Sequence, residues 1–199
     1  MSTAVPDWLP RHRITVDKYH RMVTAGLLAP DARVELIRGE IIEMSPVGSM
    51  HAATVHVLRD LLDAAIGTKA AVRVQSPVQL GDSSEPEPDL ALVVRRDDYY
   101  ASSHPCAGDV FLIVEVSEST LRYDLEVKAA LYAQHGIPEF WVIDLKGCRL
   151  HVFRCPGEGT YARVRVSDQP GPMTLDALPA VTIDLTGILS SKPGRRNSR

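Results

Sequence analysis

The 199 residues are 45% hydrophobic and 24% charged, enough apolar material to close a full core and an ordinary balance that excludes a disordered or fibrous chain. A formal net charge of -3 excludes a protein that coats nucleic acid through a general basic excess. It does not exclude a nuclease, because a carboxylate site holding a divalent cation is more positive than a residue count records.

Residues 1 to 11, with Pro6 and Pro10, read as an irregular lead-in, without the basic-then-apolar order of a signal peptide. Thr15 is a candidate N-cap for a short helix with Tyr19, Met22 and Val23 on one side, closed by Gly26 and Pro30. Val34 to Ile37 and Glu40 to Met44 flank Arg38-Gly39 and predict a hairpin. From Ser49 to Ile66 a helix puts Val55, Leu58, Leu61, Leu62 and Ala65 on one stripe, with Gly67 as its stop.

Ala71 to Gln75 and Val78 to Leu80, divided by Pro77, read as two short strands. Leu90 to Val94 is almost wholly apolar, the mark of a strand buried on both faces. Residues 95 to 109 form the longest polar loop, and Phe111 to Val116 a second buried strand. A helix from about Tyr123 to His135 ends at Gly136 and Pro138, before a third buried strand at Phe140 to Ile143. Arg149 to Arg154 and Tyr161 to Val166 read as an antiparallel pair across Pro156 to Gly159. Residues 191 to 199 are basic and turn-rich, an expected disordered tail. The order predicts an α/β (α+β) fold: a mixed sheet flanked by helices, preceded by a helix and hairpin and followed by an antiparallel hairpin.

Cys106, Cys148 and Cys155 are odd in number and lack CxxC spacing, so they read as reduced thiols rather than a disulfide framework or a zinc site. No apolar stretch is long enough to span a bilayer, and a cytoplasmic location is the expectation.

The chemistry is signalled by acids in dry places. Glu115 interrupts Phe111-Leu112-Ile113-Val114 and Val116, and an ionised carboxylate there requires a cation, a metal or several hydrogen bonds. Asp89 stands at the head of the Leu90 strand, its approach stiffened by Pro86 and Pro88. Two such acids at the ends of neighbouring strands can share one hard cation, for which Mg²⁺ is suited. Lys128 sits in the helix after the Glu115 strand, where it either reaches the two carboxylates or makes a surface i,i+4 pair with Asp124. Tyr132, one turn later, is placed to pack at the site with its hydroxyl on a nearby acid. Glu35 is either a further acid of the site or a solvent-facing edge position. His51 and His56 read as surface histidines, with contact to a metal or phosphate as the alternative.

Glu35 in Val-Glu-Leu-Ile-Arg-Gly-Glu, Pro88-Asp89, Glu115-Val116-Ser117 with Ser119-Thr120, Asp124, Lys128, and Tyr132 through Gly136-Ile137-Pro138-Glu139-Phe140-Trp141 together resemble the Uma-two family of restriction endonucleases. The resemblance spans about residues 12 to 190 as one domain, and its specificity lies in the ordered set rather than in any single piece. It implies the restriction-endonuclease-like fold of the PD-(D/E)XK nuclease superfamily. Carried across by position, Asp89 matches the aspartate of the PD motif, Glu115 the second acid and Glu35 an additional N-terminal acid. The superfamily lysine two residues after the second acid is replaced here by Ser117, and Lys128 stands in for it. The resemblance further implies Mg²⁺, replaceable by Mn²⁺, held by Asp89, Glu115 and the Val116 carbonyl, with DNA as substrate. A homodimer follows from the symmetry of duplex cleavage. The competing expectation is a binding or scaffold protein that kept the fold and lost turnover.

Overall fold

A computed structural model describes residues 9–29 and 31–189. Thr15 caps α1 (Val16–Thr24), its hydroxyl accepting from the Lys18 N–H. The hairpin pairs β1 (Val34–Ile37) with β2 (Glu40–Glu43) around Arg38 and Gly39, both at positive φ as a tight twisted turn requires. Gly39 is obligatory for space as well, since a Cβ there would lie 2.7 Å from that of Arg13. The expected stripe buries α2 (Ser49–Ile66), with Val55, Leu58, Leu62 and Ile66 inside and Leu61 and Ala65 packed beside them.

A six-stranded mixed sheet forms the centre. It comprises β3 (Ala71–Val74), β4 (Leu90–Val93), β5 (Val110–Ser117), β6 (Glu139–Asp144), β7 (Arg149–Gly157) and β8 (Thr160–Ser167), in that spatial order. Only β5 and β6 pair in parallel, and their crossover is helical: α3 (Leu121–Tyr123), a π-helical turn (Asp124–Lys128) and α4 (Ala129–Gln134). A short antiparallel pair, β9 (Pro172–Thr174) with β10 (Thr182–Asp184), was not foreseen; its three-residue strands are too brief to show a period.

Alternation along the strands divides the core in two. Leu90, Leu92, Leu112, Val114, Trp141 and Ile143 pack against α2 and the β9–β10 arm. Ala91, Val93, Ile113, Phe140 and Val142 face the other way, towards Leu131, Tyr132 and the hairpin. The central strands are therefore apolar throughout because both faces are covered.

Val78 to Leu80, expected as a strand, is not one. The Val78 and Leu80 N–H groups bond the carbonyls of Pro86 and Ser84, so the segment's donors are spent on its own loop, leaving a single-residue bridge from Gln79 to Cys106. Strands β7 and β8 run further than expected, leaving Glu158 and Gly159 at the tip. Pro30 and residues 191 to 199, with the expected tail, lie outside the described residues. The three cysteines are free and exposed. No helix of the described residues is long and apolar enough to cross a membrane.

Glu139 is fully buried on β6, with one oxygen accepting from Trp141 Nε1 and Arg154 Nη2, both at 2.7 Å, and the other from the Asp176 N–H at 3.0 Å. Arg154 also donates to the Thr174 carbonyl, tying the β9 arm to the sheet. Replacing one partner of a buried pair strands the other, so Arg154→Ala is expected to lower unfolding free energy by roughly 3 kcal/mol, measured by urea denaturation.

Candidate active site

Strand parity sets the site. Asp89 and Glu115 are both odd-numbered positions on strands whose odd residues face the α3–α4 side, and β4 pairs with β5 through Leu90 and Val114. The two acids accordingly meet at the ends of adjacent strands. The Val116 N–H donates to Asp89 Oδ2 at 2.8 Å, and the Asp89 N–H approaches Glu115 Oε2 at 3.4 Å.

Glu115 is 4% exposed. Its Oε1 accepts from Lys128 Nζ and from the Tyr132 hydroxyl, each at 2.9 Å, which leaves Oε2 with only the long contact from Asp89. Lys128 Nζ also lies 3.2 Å from Glu35 Oε2. Glu35 in turn accepts from the Tyr123 hydroxyl at 3.0 Å and the Glu87 N–H at 3.1 Å. The surface pair of Asp124 and Lys128 does not exist: both are buried, and the acids on Lys128 are Glu115 and Glu35. Glu35 is likewise no solvent-facing edge residue, at 3% exposure.

The helical crossover explains how Asp124, Lys128 and Tyr132 all face inward. Residues four apart drift by about 40° around a regular α-helix, and a wider turn reverses that drift. Here the Ala129 N–H bonds the Asp124 carbonyl, an i to i+5 link, and the turn spans Asp124 to Lys128. Asp124 is fixed by Ser117 Oγ at 2.6 Å and Thr120 Oγ1 at 2.7 Å. Ser117 thus positions the helix that carries Lys128.

His51, read as a surface group, instead places Nε2 3.0 Å from Asp89 Oδ2 and is buried enough to leave Nδ1 without a partner. His56, five residues on, is exposed as expected. Sequence reasoning missed Glu87 and Tyr123. Glu87 was visible only as an extended residue before Pro88, and Tyr123 only as a helix start; neither carries a signal until Glu35 is seen to lie between them.

Glu35, His51, Glu87, Asp89, Glu115, Tyr123, Asp124 and Lys128 help line a cleft of ≈ 350 Å³ that carries seven carboxylates against Arg33 and Lys128. Burial lifts the Glu115 carboxyl well above the usual range, opposed by Lys128 and reinforced by Asp124, Asp89 and Glu35. Desolvation works to lower the Lys128 ammonium, but Glu115, Glu35 and Asp124 outweigh it and hold the pKa well above normal, so the lysine stays charged. Burial also raises Asp124, against Lys128 and its two hydroxyl partners, and raises Glu87 against Arg33. Seven carboxyl groups against Arg33 and Lys128 offer a divalent cation its preferred oxygen ligands.

The His51 pKa is raised from 6.5, first by its bond to Asp89 and against desolvation. A base raised on folding stabilises fully below its unfolded pKa of about 6.5, and the contribution fades as pH climbs through the folded value. In chelator-treated protein, the His51 ring protons followed by NMR are expected to titrate above pH 6.5, and Asp89→Asn to bring the midpoint down; an unshifted wild-type midpoint would contradict the bond.

The model of the Uma2 family, described as "Putative restriction endonuclease", matches residues 16–186. Among solved structures, the chain is similar to a crystal structure from Anabaena variabilis described as a "putative nuclease belonging to DUF820". That likeness has a TM-score of 0.68 at 17% identity and covers 89% of this chain and 98% of the other. No curated protein matches. The restriction-endonuclease-like fold, a mixed sheet flanked by helices, is thereby established.

Proposed function

The chain belongs to the Uma2 family of restriction-endonuclease-like proteins, and from that premise we propose that it is a Mg²⁺-dependent endonuclease that hydrolyses DNA phosphodiesters through a PD-(D/E)XK-type site. The observation that carries the reading is the division of labour on Glu115: one oxygen is held by Lys128 and Tyr132, while the other faces Asp89 with a single long contact.

The residues fit a hard cation. The donors are carboxylate oxygens, the surrounding charge is in negative excess, and Glu115 Oε2 is weakly satisfied for a buried acid. Asp89 and Glu115 would hold the ion. The Val116 carbonyl is the third candidate, since a strand residue's own N–H and C=O project to the same side and its N–H already points at Asp89. Bound there, Mg²⁺ would supply Lewis-acid polarisation of the phosphate and a more acidic water.

The chain's own groups do the rest. Lys128 orients the attacking water and offsets negative charge on the phosphate as the oxygen–phosphorus bond forms and the bond to the leaving sugar oxygen breaks. Its persistent positive charge suits that role and makes it a poor general base. Glu35 and Glu115 fix the ammonium from two sides, and Tyr132 keeps Glu115 in its rotamer. Asp124 holds the helix against the strand end. His51 steadies Asp89. With one site per chain, cutting both strands of a duplex calls for two copies, and a cytoplasmic homodimer completes the reading.

Calorimetric titration of Mn²⁺ is expected to show saturable binding to the wild type that Asp89→Asn and Glu115→Gln each remove. Lys128→Met should retain binding and cut Mg²⁺-dependent nicking of plasmid DNA by about 10²- to 10³-fold. Binding indifferent to both acids, or no cleavage of any nucleic acid by metal-loaded wild type, would leave a fold that binds without turnover.

A further inference from the structure

A second cluster lies outside that cleft, since none of its three residues lines it. We propose that His20, Glu85 and His104 form a transition-metal site suited to Zn²⁺. Three separate parts of the fold supply them: α1, the segment that bridges to β1 through Leu36, and the long polar loop between β4 and β5.

Their ligand atoms all lie within 4.8 Å of one another, with His20 Nε2 at 2.7 Å from Glu85 Oε1. Tetrahedral Zn²⁺ with bonds of about 2.1 Å holds its ligands about 3.4 Å apart, so side-chain rotations of roughly an ångström would close the set. The Glu85 side chain is 3% exposed. Its Oε2 nevertheless accepts no hydrogen bond, and His104 Nδ1 is likewise buried without a partner. A simple ion pair of His20 with Glu85 explains neither atom. An ion that took Glu85 Oε2 and His104 Nδ1 as ligands would satisfy both.

The donor chemistry separates this site from the first. Two imidazoles and one carboxylate favour Zn²⁺ over Mg²⁺, whereas the cleft at Asp89 offers carboxylate oxygens. His20 is half-exposed, so the remaining coordination position opens to water. Arg73, whose charge reaches His104, lies over the Tyr100 ring at 5.5 Å and is taken up there. The site also has a structural consequence. Glu85 exchanges backbone hydrogen bonds with Leu36, the neighbour of Glu35, and stands four residues before Asp89. A bound ion would fasten α1 and the long loop to the segment that positions both acids.

Zn²⁺ titrated into the full-length Asp89→Asn protein tests this apart from the first site. One equivalent is expected to bind, and His20→Gln or His104→Gln, added singly, to weaken it by about 100-fold. At about 100 times Kd, Zn²⁺ should raise Tm by several degrees in the Asp89→Asn protein and much less in either double variant. His20 is exposed enough that His20→Gln carries the test if His104→Gln does not fold. Absence of Zn²⁺ binding, or binding that both histidine substitutions leave unchanged, overturns the proposal. Absence of Mn²⁺ binding at the cleft of the wild type, with Zn²⁺ binding intact, would count against the nuclease reading only.

Discussion

A carboxylate in a dry strand must be compensated, and the arrangement around Glu115 is the compensation. The residue sits where β5 is buried on both faces, so its carboxyl is held by Lys128, by the Tyr132 hydroxyl and, weakly, by a backbone N–H. The two side-chain partners come from one helical crossover, which must lie across the strand end at the right height. Asp124 secures that height by bonding Ser117 at the end of β5 and Thr120 at the head of the crossover. The π turn then keeps Asp124, Lys128 and Tyr132 on one side.

Glu139 shows what full compensation looks like in the same sheet. Both its oxygens are occupied, by an indole, a guanidinium and a backbone N–H, and the result is a clamp on the β9 arm. Glu115 differs in one respect, that one of its oxygens is left nearly free and turned to a second acid. A closed carboxylate holds a fold together, whereas a half-open one beside another acid has capacity for a cation.

The cleft is acidic in a chain that is itself slightly acidic, so attraction of a polyanion cannot rest on the protein's net charge. On the function proposed above, it would rest on local sign reversal by the bound ion. Five of the acids, Glu35, Glu87, Asp89, Glu115 and Asp124, crowd around a single buried lysine, with Arg33 acting on Glu87 from the cleft wall. Two positive charges brought by an ion change what a phosphate meets there far more than any surface lysine could.

Taken alone, the sequence determined most of the elements, though not the β9–β10 pair or the loop at Val78 to Leu80, and it singled out Asp89 and Glu115. Apolar runs mark strands covered on both faces, the 3.6-residue stripe marks α2, and Asp89 and Glu115 stand out because a charge inside or bordering such a run is costly wherever the run ends up. Lys128 was ambiguous, because its spacing from Asp124 is that of any surface ion pair; only the packing of α4 on the sheet decided that it faces Glu115 and Glu35. Which groups His51, Glu87 and Tyr123 would meet was beyond reach for the same reason. Their partners lie 38, 52 and 88 positions away in the chain. Local pattern reports the period of an element and the cost of burying a group, while the choice of partner depends on which faces the sheet brings together, and that is fixed only when the chain closes.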